Sequence, residues 1–193
     1  LTTSEADIDN DNDGFTENEG DCDDNNNTIH PGMTDVPDNG IDEDCDGVDA
    51  TIVIEILDME DVQVGDLIIT EIMNNPSSVS DSDGEWFEIV NLGQTDINLN
   101  GLELGNDDDV ESIVDVDLVI ESGEHMVFGI NADSATNGGI AVDFEYSTIN
   151  LSNSDDSLVL SVNGSPLDRV AYDGTFPTVA GKSMSLNPDQ YNN

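Results

Sequence analysis

The stretch from Asp7 to Asp49 constrains this chain more than any other. It holds two runs of alternating acid, Asp7-Ile8-Asp9-Asn10-Asp11-Asn12-Asp13-Gly14 and Asp42-Glu43-Asp44-Cys45-Asp46-Gly47. Asp21-Cys22-Asp23-Asp24 and Asp38-Asn39-Gly40 lie between them. Carboxylates held about 5 Å apart at an effective dielectric near 20 repel by roughly 3 kcal/mol per pair. The whole chain sets 45 Asp and Glu against two basic residues, Arg169 and Lys182, so its own cations cannot offset that repulsion. A multivalent cation is the remedy that remains.

The spacing selects the ion. In Asp-x-Asp-x-Asp-Gly, alternate carboxylates of a tight loop point at one centre, and the Gly permits the turn that brings a following carbonyl to it. All donors are hard oxygens, which suit calcium with its six to eight flexible ligands. Magnesium keeps its waters, and zinc or copper prefer nitrogen or sulfur. On the EF-hand template the first site takes Asp9, Asp11, Asp13, the carbonyl of Phe15 and Glu17, directly or through water, with Asp7 heading the run. The template's closing acid falls on Gly20, so Asp21, Asp23 or Asp24 must close the site. The second site takes Asp42, Asp44, Asp46 and the carbonyl of Val48; its closing position is Val53, and Asp38 or Asp49 fills in. No helical apolar pattern flanks either run, so these read as loop-only calcium sites for two or more ions rather than paired helix-loop-helix hands.

Both cysteines lie inside this segment beside candidate ligands. A Cys22–Cys45 disulfide would hold the two runs side by side and add about 3 kcal/mol in the chain-entropy model. Free thiols or zinc ligation are the alternatives, but neither a second Cys pair nor a His cluster supports zinc.

The order Asp-x-Asp-x-Asp-Gly, Glu19-Gly20-Asp21-Cys22-Asp23-Asp24, Pro31-Gly32, Asp38-Asn39-Gly40-Ile41-Asp42-Glu43-Asp44-Cys45-Asp46-Gly47 resembles a metal-binding repeat of secreted bacterial proteins. That repeat is named after a copper-binding surface protein of methanotrophs, and its logic is similar to that of thrombospondin type 3 calcium repeats. Copper does not carry over: His30 and Met33 are the soft donors nearby, and the other candidates are oxygens.

The net charge of −43 excludes partners. Nucleic acid and anionic lipid need cations this surface lacks, and no apolar run approaches membrane length, so membrane insertion is not expected. Disulfide chemistry and weak calcium loops suit an extracellular or cell-surface location. The alternative is a cytoplasmic protein of a salt-loving organism, but acids at ligand spacing are not a spread of generic surface charge. Leu1 is no initiator, which suggests a processed chain or a fragment.

Residues 1–49 read as the calcium module, with too few apolar side chains for a core, so ions and disulfide substitute. Residues 50–64 read as a linker or strand, with Thr51–Leu57 β-branched and a helical turn within Asp58–Gly65. Residues 65–193 read as an all-β sandwich with strands near 66–73, 85–92, 96–105, 112–120, 125–131, 143–149, 157–162 and 165–173. Asn163-Gly164 is a two-residue hairpin signal, and Asn100-Gly101, Asp83-Gly84 and Asp173-Gly174 punctuate similarly.

Gly65-Asp66-Leu67-Ile68-Ile69-Thr70-Glu71-Ile72-Met73, Gly84-Glu85-Trp86-Phe87-Glu88-Ile89-Val90-Asn91 and Asp96-Ile97-Asn98-Leu99-Asn100-Gly101-Leu102-Glu103-Leu104 resemble the lamin tail domain. Gly123-Glu124-His125-Met126-Val127-Phe128-Gly129 and Asp156-Ser157-Leu158-Val159-Leu160 match its later strands. The resemblance implies an immunoglobulin-like β-sandwich, used in bacteria as a non-catalytic module of secreted proteins.

No nucleophile motif is present. Glu71 and Glu88 on neighbouring strands are a carboxylate pair, but mid-strand positions suit hydrogen bonding or one more ion better than glycoside hydrolysis. His30 reads as a turn residue, His125 as an edge residue, Trp86 as core, and Asp107-Asp108-Asp109 as a solvated loop. The expected function is structural or adhesive and non-enzymatic: part of a surface protein, matrix component or extracellular fibre, with calcium stiffening acidic loops. Its partners would be calcium, other copies of itself, surface proteins or polysaccharide. The alternative is an accessory targeting domain of a secreted enzyme.

Overall fold

The computed structural model describes residues 4–175 and 179–187. The chain divides into two compact units, Leu1–Ile54 and Glu55–Asn193.

The first unit is made of turns. Short 3-10 turns cover Glu5–Asp7 and Glu17–Glu19, and no strand forms among its described residues. Its apolar packing is small: Ile29 is buried, and the Phe15 ring stacks on His30 with centroids 5.1 Å apart. His30 is therefore a packing residue, and its amide donates to the Glu43 carbonyl at 2.9 Å. Cys22 and Cys45 form a disulfide with Cα atoms 5.7 Å apart. The buried side chains of this unit include two acids, Asp21 and Asp24, where a core would ordinarily place aliphatics.

The second unit is all-β, with an immunoglobulin-like arrangement of short strands. In chain order they are β1 (Ile56–Asp58), β2 (Leu67–Met73), β3 (Trp86–Asn91), β4 (Asp96–Asn98), β5 (Glu103–Gly105), β6 (Val110–Ile113), β7 (Val119–Ile120), β8 (His125–Gly129), β9 (Phe144–Glu145), β10 (Asp156–Val162), β11 (Ser165–Tyr172) and β12 (Met184–Ser185). One helical turn, α1 (Asp81–Gly84), precedes β3. Three sheets result, ordered β12-β2-β3-β8-β9, β11-β10-β5-β6 and β1-β4-β7.

Alternation dictates the core. Phe87 and Ile89 point inward from β3, where Phe87 stacks on Phe128 at 5.2 Å and on Tyr146 at 5.7 Å. Leu67, Ile69, Ile72, Leu104, Leu158 and Leu160 complete the same buried cluster. Trp86, expected in the core, lies on the opposite face of β3 and stays partly exposed, because the core side belongs to its neighbour Phe87.

Two expected strands are each split between sheets. The 96–105 run breaks at Asn100-Gly101, where Gly101 adopts φ 99°; β4 joins one sheet and β5 another. The 112–120 run becomes β6 and β7, separated by buried Val114. Of the 143–149 run, only Phe144–Glu145 pairs. In the 51–57 stretch the ladder begins at Ile56, and Ile52, Val53 and Ile54 remain exposed. A 3-10 turn occupies Met59–Asp61. The Asn163-Gly164 hairpin has positive φ at both positions, 51° and 74°, and joins β10 to β11.

β2 is closed by side chains as well as strands. β12 covers only Ile72 and Glu71 of β2, and the Ile69 amide donates instead to Asp168 Oδ2 from β11 at 2.7 Å.

Candidate metal centre

The acid runs fold as two like loops. In the first, the Asn12 and Gly14 amides donate to the two oxygens of Asp9 at 2.7 and 3.1 Å. The Asp13 amide donates to Asp11 Oδ1, and the Phe15 amide to Asp13 Oδ1. In the second, the Asp46 and Gly47 amides donate to the two oxygens of Asp42 at 3.1 and 2.9 Å. The Asp46 amide is shared with Asp44 Oδ1, and the Val48 amide donates to Asp46 Oδ1. Both loops turn through the left-handed region at matching residues, Asn12 (65°) with Cys45 (59°) and Gly14 (104°) with Gly47 (98°). Asp11, Asp13, Asp44 and Asp46 thus spend one oxygen on a loop amide, which fixes their direction and leaves the other for a ligand, whereas Asp9 and Asp42 spend both.

Three clusters follow, each with carboxylate oxygens within 4.8 Å of one another: Asp9, Asp11 and Asp13; Asp11, Asp21 and Asp24; and Asp35, Asp42 and Asp44. Asp11 belongs to two of them. Asp21 and Asp24 are buried at 5% and 3% exposure. Asp24 also takes the Asn10 amide and side chain, which anchors it against the first loop.

The oxygens left over carry the argument. Asp11 Oδ2, Asp13 Oδ2 and Asp21 Oδ2 are buried without a hydrogen-bond donor, as is Asp49 Oδ1. An uncompensated buried carboxylate oxygen is costly, and a cation is the partner that would satisfy these. The crowding registers in proton affinity. Desolvation, with the charges of Asp13, Asp21 and Asp9, pushes the Asp11 carboxyl up against the opposing Asp13 amide. For Asp44 the Asp46 amide pulls down, but desolvation and the charges of Asp46, Asp35 and Asp42 outweigh it and the net shift is upward. Asp35 moves down, held by the Glu43 amide first and the Ala50 amide after it.

Six expected carboxylate ligands stand outside the clusters among the described residues. Asp7 takes the Ser4 amide and the Asn18 side chain, closing the first 3-10 turn. Glu17 and Asp23 are exposed. Asp46 takes the Val48 amide, Asp38 the Ile52 amide, and Asp49 the Gly40 amide. Instead of Asp38 or Asp49, the third acid of the second cluster is Asp35. It has no acid two positions away on either side, so alternation could not reveal it; chain return brings it in, through the Glu43 and Ala50 amides.

All three clusters offer carboxylate oxygen alone, with neither nitrogen nor sulfur, and this donor set fits a hard cation.

Residues 61–174 match the family model described as Lamin Tail Domain. The chain belongs to that family. Residues 21–50 match a second model, described as "Putative metal-binding motif", which spans Asp21, Asp24, Asp35, Asp42, Asp44 and both cysteines. The chain thus joins a metal-binding motif to a lamin tail domain, with the Asp9–Asp13 loop preceding the matched motif. No curated protein matches the chain.

Within the lamin tail domain the acids find organic partners instead. Glu71 and Glu88 are directly opposed across β2 and β3. Like charges so placed would destabilise the pair, but Glu71 takes the Ser183 hydroxyl, while Glu88 Oε1 takes Thr70 Oγ1 at 2.5 Å and lies 2.9 Å from His125 Nδ1. Asp107 forms a two-point ion pair with Arg169, which holds its carboxyl down at about 2. Glu85 is the buried acid among the domain's described residues. Burial pushes it up to about 7 against the Leu151 amide that donates to it.

Proposed function

We propose that the chain is a non-catalytic, calcium-binding structural module of a secreted or cell-surface protein, in which ions replace the missing core of the first unit. The observation that carries this reading is the set of buried, unpartnered oxygens on Asp11, Asp13 and Asp21. Asp9, Asp11, Asp13, Asp21 and Asp24 would hold calcium at the first loop, and Asp35, Asp42 and Asp44 at the second. Bound there, calcium supplies the positive charge these loops lack.

The protein's own part is to pre-aim the ligands. Loop amides hold at least one oxygen of each acid, so little side-chain entropy is left to lose on binding. Calcium is favoured over magnesium because carboxylates drawn from two separate segments make an irregular site, and magnesium demands near-octahedral geometry. An adhesive or matrix role follows from the same features: a cation-hardened acidic segment on a sandwich domain suits a spacer on a surface protein. Its partners would be other copies, surface proteins or polysaccharide.

The test is thermal unfolding of the oxidised protein in calcium, magnesium and EDTA, with light scattering recorded in parallel. Calcium at a hundredfold excess over its dissociation constant should add about 2.7 kcal/mol per site, with magnesium adding less. Equal transitions in all three solutions would falsify the reading. Scattering that rises only with calcium would mean the ion also bridges copies.

A further inference from the structure

The disulfide does not merely lie near the acid clusters; it connects them one residue from a ligand on each side. Asp21, of the Asp11-Asp21-Asp24 cluster, precedes Cys22, and Asp44, of the Asp35-Asp42-Asp44 cluster, precedes Cys45. Cys22 Sγ lies 3.5 Å from the Asp42 carbonyl, and the Cys22 amide donates to Cys45 Sγ at 3.2 Å, so the bridge rests on the second loop's own backbone. Cys45 also occupies the left-handed station that Asn12 fills in the first loop, inside the turn that aims Asp42 and Asp44.

From this we infer that cation binding and the Cys22–Cys45 bond are linked, so that the bond couples the two cation sites and makes divalent affinity redox-dependent. The inference rests on the cation reading of the clusters. Breaking the bond with a dithiol delivers two electrons and two protons, yields two thiols, and oxidises the dithiol to its disulfide. Asp21 and Asp44 then lose their shared anchor and must be ordered separately when an ion binds. Linkage is reciprocal: whatever factor the bond adds to cation affinity, bound cations add to the stability of the bond.

The experiment is a redox titration of the wild-type chain in dithiol buffers, with calcium and with EDTA, alongside calorimetric calcium titrations of the oxidised chain and of the Cys22→Ser/Cys45→Ser double variant. Affinity should fall at least about tenfold in the variant, and calcium should move the redox midpoint about 30 mV more negative for each tenfold. In the oxidised chain, Asp44→Asn should also weaken binding at the first cluster, an effect absent once the cysteines are replaced. If calcium binds the oxidised chain but leaves the midpoint unmoved, the linkage is wrong and the cation reading survives. If the oxidised chain binds no calcium, both fail together. A variant that does not fold leaves the wild-type midpoint to decide.

Discussion

Asp11 and Asp44 stand at the same station of two like loops, the second acid of each Asp-x-Asp-x-Asp motif, and each is pushed toward the protonated form by desolvation and by the acids around it. In both, one oxygen is tied to a loop amide. Cation sites are built from such frustrated positions, where the charge is unwelcome until an ion arrives.

Replacing either acid should therefore act in opposite directions with and without calcium. In EDTA, Asp11→Asn relieves repulsion from Asp9, Asp13 and Asp21 and should slow hydrogen exchange across residues 9–24. In calcium the same variant should bind about tenfold more weakly, a loss of about 1.4 kcal/mol. Hydrogen exchange in both solutions reads the crossing; a variant that shifts the same way in each would contradict the assignment.

Asp35 and Asp38 separate the observed second cluster from the one that spacing suggested. Asp35→Asn should weaken calcium binding at the second loop about tenfold. Asp38→Asn, whose carboxylate only takes the exposed Ile52 amide, should leave affinity within about twofold. Calorimetric titration of both variants is the check, and equal losses would mean that Asp38 is a ligand after all.

Glu85 predicts a pH dependence with a definite sign. Its ordinary value is 4.5 and burial raises it to about 7, so the folded domain holds a proton that the unfolded chain releases. Stability from this group is complete below about pH 4.5, declines as pH rises, and is lost above about 7. At pH 8, Glu85→Gln should be more stable than wild type by up to about 3 kcal/mol, and at pH 4 the two should converge. Denaturant midpoints at several pH values measure it; a constant difference would assign the effect to packing.

Phe87→Ala should cost the lamin tail domain about 3 to 5 kcal/mol, since Phe87 is fully buried between Phe128 and Tyr146. Trp86→Ala, one residue earlier and on the other face, should cost under about 2 kcal/mol. Chemical denaturation of the two variants checks the ranking.

The fold was legible where local signals agreed with topology. Strands from Leu67 to Asn91 and the Asn163-Gly164 hairpin announce themselves by alternation and turn chemistry. The split of 96–105 did not, because either side of Asn100-Gly101 reads as strand and only packing shows that the chain changes sheets there. In the acidic segment, Asp9, Asp11, Asp13, Asp42 and Asp44 are marked by spacing. Asp21 and Asp24 could be named only as alternatives, and Asp35 was invisible, since its place depends on Glu43 and Ala50 returning to it. Trp86 misled because size alone does not say which face of a strand is turned inward.

The Asp168 carboxylate, resting on the Ile69 amide, has a consequence for how copies of this chain could meet. An arriving strand that tried to extend the five-stranded sheet beside β2 would first have to displace a charged group already satisfied by that amide, and then leave the charge stranded under a new neighbour. Asp168 thus guards the part of that border which β12 and the Leu186 amide, donating to the Thr70 carbonyl, leave open. Strand addition at the Ile69 amide is thereby opposed, and Asp168→Ala would remove that guard from one amide while β12 still covers Glu71 and Ile72.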